Sequence, residues 1–235
     1  MLKLNVSNQH RHSACDIVGR NSKTTRLRAA AVTSDPVTLD ATIDKLKAAT
    51  RKPGCVPASE VVKAVVDVEK SKVKLPDNWP QLISAPDKRW RLIFTADSRQ
   101  VQAAGKGLQS NGIYFPLTAC QKFSSDNTFE NGVFLGPLAH LTFKGPMSTN
   151  QKQLSFDVHT MYVGVGPWRL GIPLKKDGKP ISELDPKAVK KLPFFLYAYI
   201  DDEIIVARGR SGGLALWVAA DSKWQANAGV LQVYK

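Results

Sequence analysis

The sequence predicts a mainly β protein, an antiparallel barrel preceded by short α-helices, and three observations carry that expectation. From Lys88 onward, apolar and polar residues alternate at period two in one short segment after another, the pattern of half-buried strands. The connections between these segments are turn-like and too short for the helices that parallel crossovers need, so the strands should pair antiparallel, as a meander or up-and-down barrel. Before Lys88 the apolar residues instead recur at helical spacing.

The elements follow in order. Residues 1–31 hold six bases against the single acid Asp16, with serines and threonines between them, and end in Arg28-Ala29-Ala30-Ala31. That composition is expected of an organelle transit peptide. Residues 32–76 read as a helical segment. Thr38 is placed to cap a helix running through Asp40, Ile43, Leu46 and Lys47 and stopped by Pro53-Gly54. A second helix begins near Ser59, presents Val61, Val62, Val65, Val66 and Val68 on one face, and ends before Pro76.

Residues 77–235 form the barrel domain. Trp90, Leu92 and Phe94 alternate with Arg89, Arg91 and Thr95 in its first strand. Ile113 to Lys122 reads as another strand, despite Pro116. Asn131-Gly132, flanked by apolar residues, is the dipeptide of a tight hairpin. Further strands are expected over Ala139–Phe143, Leu154–Tyr162, Phe194–Ile200, Ile204–Arg208 and Leu214–Ala219. With about eight strands, such a barrel holds either packed side chains or one small ligand.

Composition and motifs exclude several functions. No apolar run approaches the roughly 18 residues needed to span a bilayer as a helix. Cys15, Cys55 and Cys120 are scattered without a C-x-x-C pair, which argues against a disulfide framework or a zinc site. Without the six bases and one acid of the leader, the formal charge falls from +13 to +8. Lys175, Lys176, Lys179, Lys187, Lys190 and Lys191 crowd one Pro- and Gly-containing segment, a solvated insertion more than a groove-reading element, so no nucleic-acid partner is expected.

Gly209-Arg210-Ser211-Gly212-Gly213 has the G-x-S-x-G spacing of a nucleophile elbow. An elbow needs a following helix and a downstream histidine. Here Leu214–Val218 has strand residue types, and all four histidines lie upstream. A glycine hairpin explains the motif better. Gly164-x-Gly166 lacks the third glycine of a dinucleotide loop, at Arg169. His140 and His159 fall at outward strand phases as surface imidazoles, and Asp201-Asp202-Glu203 as a solvated turn. Neither a catalytic nor a metal site is expected, and no cofactor.

What remains is aromatic surface. Trp90, Phe94, Tyr162 and Trp217, among others, are spread over nearly every strand. They form either a packed core or the lining of a cavity for an apolar ligand. Arg208 lies in the otherwise apolar strand Ile204–Ala207. Sharing a face with Ile204 and Val206, it is expected to point into the barrel, with Asp201 as a counter-ion and Asp202 and Glu203 as rivals.

Lys88–Ser98, "KRWRLIFTADS", resembles the W-x-L-x-Y-T strand that opens the domain of the plastid lipid-associated protein (PAP)/fibrillin family. Tyr199–Gly213, "YIDDEIIVARGRSGG", resembles that family's closing signature, and Val68–Lys72 its helix ending in an acidic residue. The resemblance implies a lipocalin-like β-barrel that binds hydrophobic molecules (lipids, quinones or carotenoids) at plastoglobules or thylakoids, on the stromal side in the chloroplast. It places Asp201 on the aspartate the family uses in ligand binding, and Arg208 and Gly209 on its Arg-Gly. Ile205 stands where an arginine is usual, and Phe94 replaces the usual tyrosine. The sites expected are therefore Asp201, Arg208, Trp90, Phe94, Tyr162 and Trp217, in a non-enzymatic protein. The alternative is an assembly partner of a thylakoid complex, with a packed, ligand-free barrel.

Overall fold

The computed structural model describes residues 36–166, 168–176 and 178–234. The expected leader, with His10, His12 and Cys15, lies outside them. The period-two segments become β1 (Trp90–Ala96), β2 (Ile113–Tyr114), β3 (Thr118–Phe123), β4 (Thr128–Leu135), β5 (Ala139–Asn150) and β6 (Gln153–Phe156). They continue as β7 (Thr160–Val165), β8 (Trp168–Pro173), β9 (Phe194–Ile200), β10 (Ile204–Gly209) and β11 (Leu214–Ala219). Hydrogen bonds run from β1 through β3, β4, β5, β6, β9, β10 and β11 and back to β1, all antiparallel. The protein is mainly β, a closed eight-stranded antiparallel barrel with helices at its N-terminal side.

Three strand boundaries depart from the expected ones. Asn131-Gly132 is not a turn but lies inside β4, paired with Phe143 and Thr142. The turn is Ser124–Asn127, where Asn127 takes φ 60° and Asp126 accepts from the Thr128 N–H and hydroxyl. Glycine is needed at 132 for another reason: a Cβ there would sit 2.5 Å from Thr142 Cγ2 and 2.8 Å from the Tyr234 hydroxyl. Pro116 splits the run from Ile113 into β2 and β3, because it cannot donate to a ladder. The run Leu154–Tyr162 breaks at Asp157–His159, where the Asp157 carboxylate accepts from Val158 N.

That break lets β7 and β8 leave the ring. The first half of β5 pairs with β7 and the second half with β6. The β7–β8 hairpin therefore extends the β4–β5 sheet beyond the barrel wall as an arm.

Helices α1 (Pro36–Arg51), α2 (Ala58–Ser71) and α4 (Ser98–Gly105) cover the outside of the barrel. The α2 valines read from the sequence are all buried there, against Phe94, Ile204, Val206, Leu214 and Leu216. Asp97 and Gln100 close a capping box at the start of α4. Helix α5 (Pro186–Val189) lies in the β8–β9 connection, and helices α6 (Ser222–Asn227) and α7 (Val230–Val233) cover β3 and β4, with Tyr234 buried against Cys120 and Phe134.

The inside of the barrel is filled by Trp90, Phe123, Phe129, Met147, Leu154, Tyr197, Ile205 and Trp217. Helix α3 (Trp79–Ile83) closes one end. The Trp79 indole donates to Gln151 O in the β5–β6 turn, and the Trp90 indole donates to Ile83 O.

Candidate functional site

The opposite end is open. Residues paired across an antiparallel ladder share a face, so the interior face can be followed outward by register. From Phe129 it runs through Asn131 and Val133 on β4 to Phe143 and Leu141 on β5, Met161 and Val163 on β7, and Ile172 and Leu170 on β8. The last row is Leu135, Ala139, Val165 and Trp168. Asn131 is the one polar side chain along this path. Phe129 is buried, Asn131, Val133 and Phe143 are half-buried, and toward the arm tips the face is exposed, with Trp168 80%, Val165 66%, Leu170 66% and Leu135 65% accessible and Leu138 beside them at 73%.

Beside the arm, the mouth holds an open cavity of about 590 Å³ lined by Phe156, Pro193, Phe194, Phe195, Gly209, Arg210 and Ser211. Phe195 stacks on Phe156 and meets Trp217 edge-on at 5.5 Å. Within the filled interior, the Trp217 indole N–H and the hydroxyl of Tyr197, whose ring packs on Trp79 toward the closed end, are buried without a hydrogen-bond partner. Burial without an acceptor leaves both donors in a costly state. It also drives the Tyr197 phenol well above its ordinary pKa, so it stays a donor throughout the physiological range.

The expected site residues do not form one cluster. Trp90 and Trp217 face the interior as expected. Phe94 does not: a bulge between Leu92 and Phe94 turns it outward, under the helices. Tyr162 is also on the outer face, where the Arg169 guanidinium stacks on its ring at 3.8 Å.

Arg208 lies outside as well, because Ile204, Val206 and Arg208 are the face covered by α1 and α2. Its partner is Glu69, not Asp201. Arg208 Nε and Nη2 each donate to a Glu69 carboxylate oxygen at 2.5 Å, and Nη1 donates to Gly212 O. Helix α2 thus supplies a counter-ion that spacing along β10 could not reveal.

Asp201 sits at the closed end, in the β9–β10 turn. Its Oδ1 accepts from Glu203 N at 2.8 Å and Ile204 N at 2.7 Å. Its Oδ2 accepts from the Tyr199 hydroxyl at 3.0 Å and pairs with Lys47 Nζ at 2.7 Å. Burial opposes its ionisation, but Lys47 and these N–H and O–H donors outweigh that and hold its pKa below the ordinary value.

Ser211 stands in the expected hairpin. Gly209 N donates to Gly213 O, and Gly212 takes φ +87°. The strand β11 follows it, not a helix. The two histidines are not the surface imidazoles their strand phases suggested. His140 is buried against Phe134, and its Nε2 has no partner. His159 lies within 3.3 Å of Asp157, which also pairs with Lys175.

On the outer face, Glu130 accepts from Thr142 and Arg169. A polar cavity of about 650 Å³ nearby is lined by Lys144, His159, Thr160 and Tyr162 among others. Among the described residues, no three His, Cys, Asp or Glu side chains group as metal ligands. No helix there is long and apolar enough to cross a membrane.

The arm tips had escaped notice, although the sequence marks them. Leu135-Gly136-Pro137-Leu138 and Val165-Gly166-Pro167-Trp168 repeat one apolar-Gly-Pro-apolar pattern, and in the fold Gly166 N donates to Leu138 O, setting the ends of the two hairpins side by side.

No family model matches the chain, and no curated protein matches it. Among solved structures, it is similar to an NMR structure of a protein from Burkholderia xenovorans, at 11% identity and a TM-score of 0.32, covering 63% of this chain and 90% of that one.

Proposed function

We propose that the protein is a non-enzymatic, lipid-associated plastid protein. In this reading it binds a hydrophobic small molecule, of lipid, quinone or carotenoid type, at the open end of its barrel. It does so in peripheral contact with a thylakoid or plastoglobule surface. The observation that carries the reading is the interior face, apolar but for Asn131, which leaves the barrel and continues onto an exposed arm. Water-soluble proteins seldom expose so much contiguous apolar surface without a use for it. The mouth cavity, lined by Phe156, Phe194 and Phe195 with Arg210 and Ser211 beside them, joins an apolar wall to a few polar groups. The resemblance to the PAP/fibrillin family and the acid-poor leader support the plastid assignment.

One observation favours the competing reading, an assembly partner of a membrane complex: the lower barrel is filled with side chains, so only the mouth can take a ligand. Native mass spectrometry of the protein gently extracted from its own organelle separates the two. A co-purifying apolar molecule is expected, and Phe195→Ser should lower binding of a fluorescent polyene fatty acid about tenfold by removing aromatic contact. A clean apoprotein with no probe binding would favour the assembly partner. For localisation, residues 1–31 fused to a reporter should enter chloroplasts; a cytosolic reporter removes that part.

A further inference from the structure

We infer that the two apolar tips, Leu135 with Leu138 and Val165 with Trp168, insert into a lipid surface carrying anionic headgroups, and that this holds the barrel mouth against it. The inference rests on the lipid-associated reading above and names the element that makes the contact.

Three observations converge on one end of the molecule. The first is the exposure of Leu135, Leu138, Val165 and Trp168, each at least 65% accessible, three at strand ends and Leu138 in the turn between β4 and β5. Large apolar side chains clustered in the open in this way mark interaction surfaces. Both tips hold their glycine at φ +57° and are hydrogen-bonded side by side, so the four side chains form one compact apolar prow. The second is the mouth itself: Phe156 and Phe195 open at this end, beside the Gly209–Gly213 hairpin.

The third is charge. Arg210 lines the mouth, and its guanidinium donates to Lys191 O and Leu192 O, which ties to the rim the segment carrying exposed Lys187, Lys190 and Lys191. The nearby acids Asp97 and Asp185 are engaged in capping backbone N–H groups. Exposed Asp202 and half-buried Glu203, the latter paired with Lys47 and Arg51, lie in the β9–β10 turn at the closed end. A bare apolar tip would fit a protein groove as well. An apolar prow beside a rim in which Lys187, Lys190, Lys191 and Arg210 outnumber Asp97, Glu183 and Asp185 matches the interface of an anionic bilayer or lipid body, where apolar insertion and lysine attraction add.

The test uses the full chain and vesicles of phosphatidylcholine with or without phosphatidylglycerol. Trp168 is the tryptophan most open to solvent, since Trp79, Trp90 and Trp217 are buried. Its emission should shift to the blue with anionic vesicles and be quenched by lipids brominated on the acyl chain. Leu138→Ser with Trp168→Ser should lower vesicle partitioning at least about tenfold while leaving far-UV circular dichroism unchanged. Lys190→Glu with Lys191→Glu should weaken it several-fold, and more at low salt than at high. Partitioning that ignores the tip substitutions, or a wild-type chain that ignores vesicles, overturns the inference. So does a concentration-dependent dimer that the tip substitutions abolish, since a second copy would then be the occupant. Binding of the soluble polyene probe is measured without vesicles, so a failed ligand site and a failed membrane contact give different results.

Discussion

Replacing Asp201 by alanine tests whether this acid is a stability element or part of a ligand site. The substitution removes the acceptor for Glu203 N, Ile204 N and the Tyr199 hydroxyl, and the partner of Lys47. Losing the turn cap costs about 1 kcal/mol, as at a helix N-cap. The charge-assisted bond from half-buried Tyr199 adds about 1 kcal/mol. The Lys47 pair is partly solvated and adds about 0.5 kcal/mol. The sum is about 2–3 kcal/mol, or about 5–10 °C in Tm for a domain of this size.

Asp201→Asn keeps an acceptor for the two amides and should lose about half as much. Asp202→Ala should lose almost nothing, because its carboxylate is 85% exposed and 3.7 Å from Lys88 Nζ. The pH dependence has a definite sign. A carboxylate with a depressed folded pKa contributes fully above its unfolded value, about 3.9, and loses that contribution as pH falls through the lower folded value. The gap between wild type and Asp201→Asn in urea unfolding should therefore be constant at neutral pH and close below about pH 4. Equal effects of Asp201→Ala and Asp202→Ala would refute this reasoning. Loss of polyene-probe affinity at unchanged stability would return Asp201 to the ligand site.

Three further outcomes are expected. A double-mutant cycle on Glu69→Gln and Arg208→Lys should show about 1–2 kcal/mol of coupling in chemical denaturation, between the values for exposed and buried pairs; coupling near zero would show the bidentate pair to be solvated in practice. Gly132→Ala should cost about 2–4 kcal/mol in Tm-derived stability, because its new methyl meets both Thr142 and the buried Tyr234; a neutral result would mean that the C-terminal helices give way freely. Ser211→Ala should change stability by less than about 0.5 kcal/mol, and an esterase activity that vanished with it would revive the nucleophile elbow.

The sequence by itself determined the up-and-down barrel and its helical cover. Period-two alternation and the residue types of Trp90–Thr95, Ile204–Arg208 and Leu214–Ala219 are local consequences of a strand with one face in a core. The valine face of α2 is equally local. The sequence also exposed the G-x-S-x-G stretch as a hairpin, since the strand after Ser211 is visible in its residue types. Which face of a strand points inward was decided only in three dimensions. Alternation marks two faces but does not say which is the interior when helices bury the other, so Arg208 and Phe94 were assigned to the wrong side. Glu69, the partner of Arg208, is 139 residues away in the chain, and no spacing rule reaches that far. Asn131-Gly132 carries a turn's residue types, yet β4 runs straight through it, because the space there is set by Thr142 and Tyr234 from two other elements. The open mouth belongs to the same class. Leu135, Leu138, Val165 and Trp168 are ordinary apolar residues one at a time, and only the pairing of β5 with β7 brings the two tips together into one exposed surface.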